Sequence, residues 1–159
     1  MNAPFSTSSD GDVNVLTVTC ASSSKTSRRM KLIVLPDEFA VARLGPADAI
    51  PSWATAAPIS STTRTPEELS IACAASHLPA HVTAERGWRC LRVAGKLDFS
   101  VTGVLASIAG PLADAGVSIF AISTYDTDYI LVPAPALPAA IAALSAAGHD
   151  VNAAPAAAD

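Results

Sequence analysis

LDFSVTGVLASIAGPLADAGVSIFAISTYDTDYILVP, residues 97–133, carries a long helical pattern with strand-like runs on both sides. Val101, Val104, Leu105, Ile108 and Leu112 recur at helical spacing and form one apolar stripe. Gly116 stands where a helix commonly stops, just past its last turn. VSIFAI (117–122) follows as a β-rich run, TYDTD (124–128) as a polar turn, and YILV (129–132) as a second run. The stretch therefore predicts a helix opening near Val101 and capped by Ser100, then strand, turn and strand.

The pattern extends outward on both sides. Upstream, WRCLRV (88–93) reads as a strand with Trp88, Cys90 and Arg92 on one face and Arg89, Leu91 and Val93 on the other. Downstream, Pro138 opens a helix striped by Leu137, Ile141 and Leu144 and stopped by Gly148, after which residues 149–151 close the sheet. This half reads β-α-β-β-α-β, a ferredoxin-like unit with an antiparallel sheet. In the other half, residues 31–35 and 39–44 flank Pro36-Asp37 and predict a β-hairpin. A short helical turn around Trp53, strands at 59–64 and 69–73, and a loop at 76–85 complete it. The expected class is α+β, with two ferredoxin-like subdomains at 31–86 and 87–152. Residues 1–30, rich in Ser and Thr, read as a disordered tail, with a strand at Val13 to Val18 as the alternative and Met30 as a second candidate start. Residues 153–159 read as a frayed tail.

Composition excludes several classes. Half of the 159 residues are hydrophobic and 15% are charged, which suits a chain that buries a core. The net charge is −4 and basic residues are scattered, apart from Arg28-Arg29, so no clustered cationic surface awaits nucleic acid. Prolines break the apolar window at 129–148, and Gly110-Pro111 with Asp114 breaks the one at 99–125, so neither predicts a membrane span. Cys20, Cys73 and Cys90 form no CxxC pair, and no secretory signal opens the chain. The expected location is cytoplasmic.

Catalytic chemistry has little to build on. GxGxxG, P-loop and GxSxG motifs are all missing from the sequence. Cys73, His77 and His81 are spaced like metal ligands, yet a fourth ligand and a supporting helix are lacking, so His77, His81 and His149 read as incidental surface residues. Asp126 and Asp128 read as solvated turn carboxylates. The loop Asp98-Phe99-Ser100 is more suggestive, because it leads into a helix N-terminus whose free N–H groups favour a carboxylate. Gly103 lets a ligand approach the backbone, and Asp128 offers an acid to an amine. Donors for a carboxylate beside an acceptor for an ammonium match a free amino acid.

GPLADAGVSIFAISTYDTDYILV, within residues 101–132, resembles the ACT-domain segment of the CASTOR-type arginine sensors and their bacterial tandem-ACT relatives. The resemblance runs upstream through ISSTTRTPEEL (59–69) to Lys31, covering 31 to about 147. It implies a regulatory, amino-acid-binding fold with no catalytic residue, no metal and no cofactor. It also implies a ligand between ACT units. Ser118 and Ile119 would form one side; Asp98, Phe99, Ser100, Val101, Thr102, Gly103, Thr124, Tyr125 and Asp128 would form the other. The sensors carry two copies of such a tandem-ACT unit and this chain carries one tandem, so a complete pocket implies a homodimer. Val101 stands where the arginine-binding loop has a carboxylate, so arginine itself is not implied. The rival reading is a ligandless ACT scaffold that dimerises or docks on an enzyme; a metal enzyme using Cys73, His77 and His81 is a weaker third.

Overall fold

The computed structural model describes residues 29–98 and 100–154. The expected tail and its alternative strand at Val13 to Val18, Phe99, and residues 155–159 lie outside the described residues. The elements in chain order are β1 (Lys31–Leu44), α1 (Ser52–Ala56), β2 (Ser60–Arg64), β3 (Leu69–Ala74), β4 (Ala84–Val93), α2 (Val104–Asp114), β5 (Phe120–Ser123), β6 (Asp128–Pro133), α3 (Leu137–Ala146) and β7 (Asp150–Ala153). Mixed α+β structure on a mainly antiparallel sheet, with β4 to β7 in βαββαβ sequence, is what the sequence pattern implies.

The seven strands among the described residues join one sheet in the order β2-β3-β1-β4-β6-β5, with β7 parallel to the start of β1. The first four strands have ferredoxin-like order by themselves. In the second half, Lys31 to Val34 of β1 lie between β7 and β4, where a self-contained unit would pair those two directly. β1 and β4 therefore run through both halves.

The hairpin expected at Pro36-Asp37 does not form. β1 continues as one strand of 14 residues. Between Val34↔Leu91 and Glu38↔Arg89 its register shifts, so the chain bulges out where Pro36 lacks an N–H. Arg89 Nη2 donates to the Leu35 carbonyl at 3.0 Å, satisfying a group that the bulge takes off the ladder.

The three α-helices among the described residues cover one face. There Leu32, Val34, Leu91, Val93, Ile130 and Val132 of the sheet meet Ile108, Leu112, Ala140 and Leu144 of α2 and α3. Ala54 of α1 packs on Leu69 and Ile71, beside a small cluster of Ala40, Ala42, Cys73 and Leu78. The opposite face carries Phe39, Cys90 and Leu131, flanked by Trp88, Ile122 and Tyr129, and no helix among the described residues lies on it.

Both long helices end in the same way. Gly116 and Gly148 take positive φ (70° and 91°). Their N–H groups donate to Ala113 and Ser145, and the next residues, Val117 and His149, donate to Leu112 and Leu144. Val117 is thus part of the helix cap, and β5 starts at Phe120 rather than at 117. His149, expected at the surface, is 4% exposed. Its Nδ1 accepts the Met30 N–H at 3.2 Å, which leaves the proton on Nε2, 3.0 Å from the Ser107 carbonyl. That carbonyl lacks its usual helical donor because the residue four positions on is Pro111. His149 therefore satisfies the gap that Pro111 creates and ties α2 to the start of β1. At the other end, Ala153 closes β7 and the Ala154 N–H donates to Val34 at 2.9 Å, beyond the point where fraying was expected.

Candidate functional site

Residues 94–103 connect β4 to α2 and form one wall of a cavity. The helix starts at Val104, not near Val101, and its N-cap is Gly103 at φ 80°, not Ser100. Glycine suits this left-handed conformation, and no side chain caps the helix. No acidic residue occupies its first turn. The N–H groups there are consequently met by no side-chain cap and no acidic residue of the helix's own first turn. Ser100 serves Asp98 instead: its N–H donates to Asp98 Oδ1 at 2.8 Å. Hydrogen bonds from the Ser100 side chain and backbone hold the Asp98 carboxyl below its ordinary range, although it is open to solvent.

The opposite wall is the turn between β5 and β6. Thr124 Oγ1 donates to the Thr127 carbonyl at 2.7 Å and accepts the Thr127 N–H at 3.2 Å. Thr127 Oγ1, buried, donates to the Val93 carbonyl at 2.8 Å, and the Leu97 N–H donates to the Asp126 backbone carbonyl at 2.7 Å. Lys96 and Asp126 form an ion pair at 2.7 Å, with the ammonium 5.5 Å from the Tyr125 ring centre. These contacts fix loop and turn against each other.

Between them lies a cavity of about 280 Å³. The expected residues Asp98, Val101, Gly103, Thr124, Tyr125 and Asp128 all line it. Ser100, Thr102, Ser118 and Ile119 do not line it, and Phe99 lies outside the described residues. Ser118 is exposed, and Ile119 packs towards the helix-side core. Leu97, Val104, Leu105, Ser123 and Thr127 also line the cavity, though sequence reasoning did not select them. Leu105, assigned by its spacing to the buried stripe, is 37% exposed, and Tyr125 is 74% exposed. Two of the three exposed large apolar side chains among the described residues therefore border this one cavity. The Asp128 carboxylate, on a residue whose backbone pairs with Ser123, has no hydrogen-bond or ion-pair partner among the described residues.

The other sequence candidates do not assemble into a site. No group of His, Cys, Asp and Glu among the described residues is placed to hold a metal ion. Cys73 is buried beside α1, and burial raises its thiol pKa against an opposing effect of Arg86. No helix among the described residues is long and apolar enough to cross a membrane.

A helix-backed, mainly antiparallel sheet with a βαββαβ order defines a ferredoxin-like α+β class of fold, here with a cavity at the opening of its first long helix. A family model described as ACT domain matches residues 83–146, and a model of an N-terminal domain matches 37–81. A structural-genomics protein of Agrobacterium tumefaciens is 36% identical, with a TM-score of 0.77, over 83% of this chain and 98% of that one. The chain belongs to the ACT-domain family. It is also similar to the human cytosolic arginine sensor for mTORC1 subunit 1, at 49% identity over 47 residues. That match covers 29% of this chain and 14% of the sensor. The regulatory subunit of aspartate kinase from Thermus thermophilus shares the fold at 17% identity, with a TM-score of 0.50 over 70% of this chain and 93% of that chain.

Proposed function

We propose that this ACT protein is a non-catalytic regulatory sensor that binds a free amino acid in the cavity between the 94–103 loop and the 124–127 turn. One observation carries this reading. An uncapped helix N-terminus, an Asp128 carboxylate without a partner among the described residues and two exposed apolar side chains border the same cavity of about 280 Å³. The helix N–H groups suit the carboxylate and Asp128 the ammonium, while Leu105 and Tyr125 supply apolar contact to a side chain. The similarity to a cytosolic arginine sensor supports an amino-acid ligand and a cytoplasmic location. Val101 argues against arginine itself. The two family models meet near residue 82, which supports reading 31–86 and 87–152 as two ACT-like units joined through β1 and β4.

The proposal includes a two-fold homodimer through residues 117–122. β5 is an edge of the sheet, and uncharged apolar edges are commonly paired or covered. Ser118 would then reach the cavity of the second chain. Light scattering at about tens of micromolar should give the dimer mass, and a monomer would exclude this interface. A thermal-shift screen of the twenty amino acids tests the ligand. A rise in melting temperature with one of them supports the sensor, whereas no rise with any favours the ligandless scaffold.

A further inference from the structure

The helix-free face of the sheet holds a second cavity, which shares only Ser123 and Thr124 with the first. Its volume is about 250 Å³, and both halves of the chain build it. Phe39, Cys90 and Leu131 form an apolar floor, with Ile59 and Ile122 at the sides. Ala72 and Ser61, paired across β2 and β3, leave space where larger side chains would fill it. An engineered cavity of roughly 150 Å³ holds benzene, so this one accommodates a somewhat larger organic body. No charged side chain lines it, and burial pushes the Cys90 thiol up to about 12, so the thiol there is neutral.

Thr124 and Tyr129 line this cavity and also the depression beside it, which Arg92 enters. Arg92 pairs with Tyr129 across β4 and β6, so it lies on the same face, two residues along the strand from Cys90. Two strand residues span roughly 7 Å, about the reach of an arginine side chain. Arg92 Nε is buried without a hydrogen-bond partner, and Arg92 has no ion pair among the described residues. The neighbouring acid, Asp126, is already held by Lys96. Arg92 is only half-buried and forms no ion pair among the described residues, so the rest of its guanidinium can meet an anion at the edge of the uncharged cavity.

We infer that this face binds a small carboxylic acid without an amino group. Its apolar body fills the cavity over Phe39, Cys90 and Leu131, and Arg92 takes its carboxylate. An ammonium would find no acidic partner there, so amino acids are disfavoured at this site. 3-Phenylpropanoate and 4-methylpentanoate are suitable probes, followed by amide chemical shifts of the full chain. At least one should bind with Kd below about 1 mM and shift Ser61, Cys90 and Ile122. 3-Phenylpropanamide and phenylalanine should bind at least about tenfold more weakly than the better acid, and Arg92→Gln should lose about tenfold for it. Ala72→Leu and Ser61→Leu, which fill the space without touching Arg92, should each abolish binding. Asp128→Asn should leave it unchanged, which separates this site from the amino-acid cavity. The proposal is overturned if neither acid binds, if Arg92→Gln binds as wild type, or if the shifts map to Asp128 and Leu105.

Discussion

The two faces of the sheet are built from the same strands yet packed to different ends. On the helix side, Leu, Ile and Val from six strand positions interlock with α2 and α3, and the core there is fully buried. On the other side, Phe39, Cys90 and Leu131 are equally buried, but Ala72, Ser61 and Ser123 stand around them and leave a cavity. The alternation of a strand places both sets on one backbone. The difference teaches that the fold is secured on one face, so the other face and the loop ends can carry open sites.

The largest effect should come from the packed face. Leu112, fully buried between α2 and the sheet, should cost about 2–5 kcal/mol as Leu112→Ala in chemical denaturation. A loss as small as that of Ile122→Ala, a half-buried side chain on the open face, would break the comparison; the latter should stay below about 1.5 kcal/mol. His149→Ala should cost about 1–3 kcal/mol, because the Met30 N–H and the Ser107 carbonyl both lose their partner. Pro111→Ala restores a backbone donor to Ser107. The double variant should therefore be more stable than the sum of the single effects, and simple additivity would show that His149 does not serve the proline gap. The smallest effect on stability belongs to Tyr125→Ala, within about 0.5 kcal/mol of wild type, since the ring is mostly exposed.

The second half of the fold was legible because its signals are local. Glycine at two helix ends, proline at a helix start and apolar runs of fixed period need no knowledge of distant segments. The path of β1 was not legible. Pro36-Asp37 is a fair turn signal, and only pairing with β4, more than fifty residues away in sequence, carries the strand through it. The role of His149 was hidden for a similar reason, since its partners Met30 and Ser107 come from other elements. At the candidate site, helical spacing put Leu105 on the buried stripe. The helix opens at Val104, so its first turn ends the core contact at Val104 and Ile108, and Leu105 faces the cavity. The cavity on the helix-free face was unreadable from sequence, because Ser61, Ala72, Cys90 and Ile122 meet only through the sheet order.

Titration calorimetry of the amino acid that most raises the melting temperature, on wild type and Asp128→Asn, tests the sensor reading most directly. Removing the charge that faces the ligand's ammonium should weaken binding by about 30-fold or more, while His81→Ala, far from the cavity lining, should bind as wild type. Equal affinities for wild type and Asp128→Asn would contradict the assignment of the amino acid to this cavity.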